Sequence, residues 1–101
     1  MKFKEFFNTV KETAQYDHDR NRVVYPALGL AGEAGEAVDI IKKTIRYGDP
    51  ADDLRHRREA MELELGDVMW YWCNLVIDLG MDPYGIFQKN YDKLRARYDI
   101  K

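Results

Sequence analysis

Four carboxylates in this chain are spaced so that they could do chemistry together. Glu33 and Glu36 stand three residues apart in "GLAGEAGEAVD", and Glu64 and Asp67 repeat the interval in "ELELGD". In a helix, a separation of three puts both side chains on one face, close enough to share a ligand. Either pair alone would read as a solvated helix face. Four carboxylates gathered at one place, however, repel one another unless a cation lies between them. Hard oxygen ligands of this kind select Mg2+, Mn2+ or Ca2+. Such an ion lowers the pKa of a bound water, and a carboxylate it does not consume can accept that water's proton. Glu33 and Glu36 are the candidates for that base, and spacing does not separate them.

Four helices are needed to position these groups. The first is expected over Phe3–Tyr16, with Phe3, Phe6, Phe7, Val10 and Ala14 at helical intervals. The second begins near Pro26, carries Leu30, Ala34, Ala37, Val38, Ile41 and Ile45, and stops at Gly48 and Pro50. The third covers about Leu54 to Leu79, with Met61, Leu65, Val68, Met69, Trp72, Leu75, Val76 and Leu79 as its stripe. Gly80 ends it, and Asp82 and Pro83 read as cap and first residue of a fourth helix bearing Ile86, Phe87, Tyr91, Leu94 and Tyr98. The connections fall at His18–Val24 and Tyr47–Asp53. No segment alternates like a strand, so the fold class is all-α and four-helix-bundle-like.

On a wheel of about 100° per residue, Glu33 falls roughly 90° and Glu36 roughly 150° from the centre of the second helix's apolar stripe. Glu64 and Asp67 take nearly the same offsets on the third helix, in the same rotational sense. Each helix is therefore expected to carry an acidic edge beside its core edge. Gly29, Gly32 and Gly35 interrupt the acidic helix, each costing about 1 kcal/mol relative to alanine. They either strip the surface so that a helix or phosphate approaches the backbone, or serve ordinary close helix contact.

A chain of 101 residues, 46% hydrophobic and 34% charged, makes one domain over residues 1–101 and is too apolar for disorder. Its small core is expected to be completed by association with copies of itself. A net charge of −2 gives no reason to expect nucleic acid as a partner. The single cysteine, Cys73, allows no intrachain disulfide and reads as a small buried hydrophobe in a reducing compartment. "MKFKEFF" lacks the features of a signal peptide, and Val68–Leu79 is too short to cross a bilayer. A cytoplasmic location away from membranes is expected. A carboxylate-bridged diiron bundle needs Glu-x-x-His on two helices. Gln15 and Asp53 stand where those glutamates would precede His18 and His56. That argues against the diiron reading, and both histidines are expected to be surface residues.

"LGLAGEAGEAVDIIKK", "ELELGDVMWYW" and "NYDKLRARY" together resemble the MazG-like nucleoside triphosphate pyrophosphohydrolases, over roughly Leu28 to Tyr98. The family signature, ExxE followed by ExxD, is met by Glu33, Glu36, Glu64 and Asp67. The resemblance implies an all-α fold, Mg2+ dependence with Mn2+ as a substitute, and hydrolysis of (d)NTP to (d)NMP and pyrophosphate in nucleotide-pool housecleaning or trimming. It implies a homodimer, or a homotetramer built as a dimer of dimers. By the same resemblance, Glu33, Glu36, Glu64 and Asp67 are the metal ligands, and Asn90, Lys93 and Arg97 contact substrate. Ala60 departs from the pattern, since many relatives carry a lysine there. Arg57 or Arg58 is the available replacement. The dUTP-specific and phosphoribosyl-ATP branches are neighbours, and the short chain and third helix favour the MazG-like one.

Beyond the acids, a phosphate chain requires fixed cations. Lys93 and Arg97 are i, i+4 and project together, while Lys42, Lys43 and Arg46 read as a solvated helix end. Trp72 belongs to the core stripe, Trp70 points away from core and acids as an oligomer contact, and Tyr71 lies on the acid side as a wall for the ligand. A non-catalytic helical nucleotide- or partner-binding module on the same fold is the alternative, and Ala60 is the feature that favours it.

Overall fold

In the computed structural model, which describes residues 1–50 and 53–101, four helices follow in order: α1 (Phe3–Thr13), α2 (Val24–Arg46), α3 (Arg58–Asp78) and α4 (Pro83–Arg97). There is no strand among the described residues. Part of the expected Tyr47–Asp53 connection, residues 51 and 52, lies outside them. The punctuation follows local chemistry. Gly48 and Gly80 take φ of 85° and 68° just beyond α2 and α3, a left-handed conformation that costs glycine little. The Asp82 side chain accepts from the Tyr84 N–H at 3.1 Å, and Pro83, which lacks an N–H, opens α4.

α1 is shorter than its apolar spacing suggests. It stops at Thr13, because Tyr16 turns off the helix to donate its hydroxyl to Asp78 of α3 at 2.7 Å. α3 starts at Arg58 rather than Leu54, and α2 begins two residues ahead of Pro26. Trp70, expected to serve a second copy, has a partner within the chain. Its indole N–H donates to Thr13 Oγ1 at 2.8 Å, tying α3 to α1. Trp72 stacks on Phe87 of α4, with centroids 5.5 Å apart and planes 5° off parallel. Phe3 meets Phe87 edge-on at 5.4 Å, so the start of α4 is held by one ring from α1 and one from α3.

The principal difference from sequence expectation is rotational. α2 and α3 form the main contact of the fold, and α2 turns Pro26, Gly29, Glu33, Ala37, Ile40 and Thr44 toward it. Pro26, Ala37 and Thr44 are buried, and Gly29, Glu33 and Ile40 are half-buried. The expected core stripe is left largely in solvent, with Val38 63%, Ile41 37% and Ile45 57% exposed. On α3, Leu65 and Met69 are likewise 52% and 37% exposed. The buried hydrophobic core is small: Val10, Ala37, Cys73 and Val76. Cys73 is fully buried, and burial pushes its thiol pKa up to about 11. The radius of gyration is 16.5 Å, against about 13 Å for a compact domain of this length.

Candidate metal and nucleotide site

The rotation of α2 brings the acids together. One carboxylate oxygen from each of Glu33, Glu64 and Asp67 lies within 4.8 Å of the other two, across the α2–α3 contact. Glu33 comes from the centre of the α2 face that meets α3. Glu64 and Asp67 come from one side of α3, in a row that continues through Tyr71, Asn74 and Asp78 at intervals of three and four. Glu36 is one turn farther along α2, exposed and outside this group of three.

Electrostatics show how crowded the group is. The Glu64 carboxylate beside Glu33, followed by burial and the charges of Asp67 and Glu36, holds the Glu33 pKa above its ordinary value. Glu64 Oε2 is buried and finds no hydrogen-bond partner among the described residues. A buried acceptor without a donor costs about 1–3 kcal/mol. Carboxylates crowded so closely that Glu33 is held above its ordinary pKa, with one Glu64 oxygen left orphaned, fit a small divalent cation, which would satisfy the oxygen and cancel the repulsion.

Tyr71 lies over the backbone of α2. A β-carbon on Gly29 would come within 2.2 Å of the Tyr71 ring, so the ring occupies the space a side chain would need. A Cβ on Gly32 or Gly35 would meet nothing within 4 Å. One of the three glycines thus serves close contact inside the chain, and the other two border open space. Burial first, then the neighbouring Tyr25, then the charges of Glu33 and Asp67 raise the Tyr71 pKa.

The cations stand elsewhere. Asn90, Lys93 and Arg97 are exposed on α4, and neither Lys93 nor Arg97 forms an ion pair with the acids among the described residues. A cavity of about 510 Å³ between α3 and α4 is lined by Met69, Trp72, Phe87, Asn90 and Leu94. Trp72 sits about 140° round α3 from Asp67. The two candidate replacements for the lysine at Ala60 are engaged in other pairs. Arg57 pairs with Asp49 at 3.2 Å and lies over the Tyr47 ring, and Arg58 pairs with Glu62 at 3.1 Å. Lys42 and Lys43 pair with Asp39 at 3.0 and 3.2 Å.

The described MazG nucleotide pyrophosphohydrolase domain matches residues 26–99, which hold both acidic pairs and all of α3 and α4. The chain belongs to the MazG family. The "Gene 37 protein" of Mycobacterium phage L5 is 39% identical over 75 residues, covering 74% of this chain and 65% of that protein. No solved structure matches the chain. Within this MazG domain, no described helix is long and apolar enough to cross a membrane.

Sequence reasoning missed two residues of consequence. His18 lies at the surface as expected, its side chain 46% exposed, yet its Nδ1 is 3.4 Å from Asp78 Oδ1 and its ring 4.2 Å from that of Tyr16. Asp78 itself passed unremarked, although its side chain is only 3% exposed. Its signal was present in the sequence, since it continues the Glu64, Asp67, Tyr71, Asn74 row by one further interval.

Proposed function

We propose that this chain hydrolyses nucleoside triphosphates to the monophosphate and pyrophosphate, using a divalent cation held by Glu33, Glu64 and Asp67. The convergence of those three carboxylates within 4.8 Å carries the reading, and family membership supplies the nucleotide pyrophosphohydrolase class. When bound, Mg2+ or Mn2+ offsets the negative charge of acids and phosphates and makes a water more acidic. Glu36, exposed beside the group and outside it, takes the proton from the attacking water. Glu33 serves in its place only if its own oxygens are not all given to the ion. Tyr71 forms the wall beside the acids and keeps bulk water from one side of the reacting phosphate.

The basic helix acts between subunits. α4 rests on the Met69 and Trp72 side of α3, so a second copy is the source from which Asn90, Lys93 and Arg97 approach the acids and grip the phosphates. The open shape and the exposed Val38, Ile41, Ile45, Leu65 and Met69 support such an assembly, because burying that face in a partner removes it from water.

The test is pyrophosphate release from a panel of ribo- and deoxyribonucleoside triphosphates with Mg2+ or Mn2+. Release should occur with at least one nucleotide and fall by at least a hundredfold in Asp67→Asn with helicity unchanged. No release from any nucleotide would end this reading. The engagement of Arg57 and Arg58 in other pairs favours a second one, a module that binds nucleotide without turnover. Calorimetric binding of a triphosphate with no product after long incubation would select it.

A further inference from the structure

Asp78 carries contacts that neither a helix terminus nor a metal site requires. Its carboxylate Oδ2 accepts the Tyr16 hydroxyl at 2.7 Å and the Val23 backbone N–H at 3.1 Å, while Oδ1 faces His18. Its backbone carbonyl accepts from Arg22 Nε at 3.0 Å. One residue at the end of α3 therefore gathers four residues of the connection between α1 and α2.

What it holds is strained. Val23, the residue before α2, has φ 67° and ψ −49°. With the Val24 N–H donating to the Arg22 carbonyl at 2.7 Å, Val23 centres a γ-turn of the rare positive-φ kind; a β-branched side chain held there costs about 1–3 kcal/mol and persists only where the surroundings enforce it. The hydrogen bond from Val23 N–H to a buried carboxylate is such an enforcement, and the direction in which α2 sets out depends on it.

The contacts lead from there to the acids. Tyr16, its hydroxyl fixed on Asp78, stacks on Tyr25 with centroids 4.7 Å apart and planes 21° off parallel. Tyr25 meets Tyr71 at 6.1 Å, and Tyr71 covers Gly29, one helical turn before Glu33. We propose that Asp78 is a positioning residue for the candidate site: it clamps the 14–23 connection and the strained Val23, and through Tyr16 and Tyr25 it sets Tyr71, the wall beside the acids. The functional half of this inference rests on the nucleotide reading above, and the clamp itself does not.

Asp78→Ala, Asp78→Asn and Tyr16→Phe test it, each compared with wild type. Four measurements are made: far-ultraviolet circular dichroism, hydrogen exchange at the Val23 amide, titration with Mn2+ alone, and steady-state kinetics on each of the four dNTPs and the four NTPs. Asp78→Ala should keep its helicity and bind Mn2+ within about twofold of wild type. Its Val23 amide should exchange at least tenfold faster, and KM for the preferred nucleotide should rise about tenfold with kcat changed less than threefold. Asp78→Asn, which keeps one acceptor oxygen, should recover part of both losses. Tyr16→Phe should raise KM severalfold while Val23 stays protected, and it decides the question if Asp78→Ala does not fold. An unchanged Val23 exchange rate, an unchanged KM in Tyr16→Phe, or equal losses in kcat and Mn2+ affinity would each overturn the proposal. Should wild type bind a nucleotide without turnover, the dissociation constant of the Mn2+–nucleotide complex takes the place of KM. A wild-type protein that neither binds nor hydrolyses any ribo- or deoxyribonucleoside triphosphate overturns the proposed function in wild type alone, whereas failure of the clamp shows only in the variants.

Discussion

Glu33 of α2 and Glu64 of α3 face each other across the main helix contact, with carboxylate oxygens within 4.8 Å and one Glu64 oxygen buried without a partner. Two acids so placed destabilise the chain unless a proton or a cation joins them. Replacing Glu64 with glutamine should therefore stabilise the metal-free protein by roughly 1 kcal/mol. For a domain of this size that raises the melting temperature by about 4–8 °C. With Mg2+ in excess the order should reverse, because wild type gains the binding free energy and Glu64→Gln does not. Melting curves with and without Mg2+ check both halves.

The glycines separate by what lies above them. Gly29→Ala drives a β-carbon into the Tyr71 ring, and the resulting overpacking should cost about 1–3 kcal/mol. Gly32→Ala and Gly35→Ala meet open space and should each stabilise by up to about 1 kcal/mol through helix propensity. Urea unfolding of the three variants checks this. Destabilisation by Gly32→Ala would mean that a second subunit covers that face.

Asp78 gives the acid limb of stability a specific origin. Burial raises its pKa, but the hydrogen bonds from Tyr16, the Val23 N–H and His18 outweigh that, and the net shift is downward. A carboxylate with a depressed pKa contributes stability that is complete above its unfolded value of about 4 and is lost as pH falls through the folded value. Stability should thus decline below about pH 4, and Asp78→Asn should flatten that decline. Unfolding free energies measured from pH 6 down to pH 2.5 check the slope.

Solution mass tests the exposed apolar face. The 11.9 kDa chain should sediment as at least a dimer. Ile41→Lys together with Met69→Lys should return it to monomer while leaving the α2–α3 contact, and hence most of the helicity, in place. Sedimentation equilibrium of both proteins is the measurement.

Helix number, the caps at Asp82 and Pro83, and the breaks at Gly48 and Gly80 were all legible in the sequence, because each follows from a residue's own conformational chemistry. Which way α2 faces was not. A wheel locates the most apolar stripe, here Val38, Ile41 and Ile45, but does not say whether that stripe meets the chain's own next helix or remains outside. The face that α2 turns to α3 instead holds Gly29, Glu33, Ala37 and Thr44, small or polar residues that allow close approach. The acidic pairs could be read because spacing alone sets their side of the helix, whereas the separation of Glu36 from the other three needed the rotation. The place of Asp78 on the acidic row of α3 was there to be read, but its contacts were not. Its partners Tyr16, His18 and Val23 lie more than fifty residues away in sequence, and no periodicity relates a loop to the end of a distant helix.

Calorimetric titration of Mn2+ into wild type and Asp67→Asn bears most directly on the central claim. Wild type should bind at micromolar to submillimolar concentration, and the substitution should weaken that binding by at least tenfold without changing the helical circular dichroism spectrum. Equal Mn2+ affinity in the two proteins, or no binding by wild type up to several millimolar, would show that these carboxylates do not form a metal site.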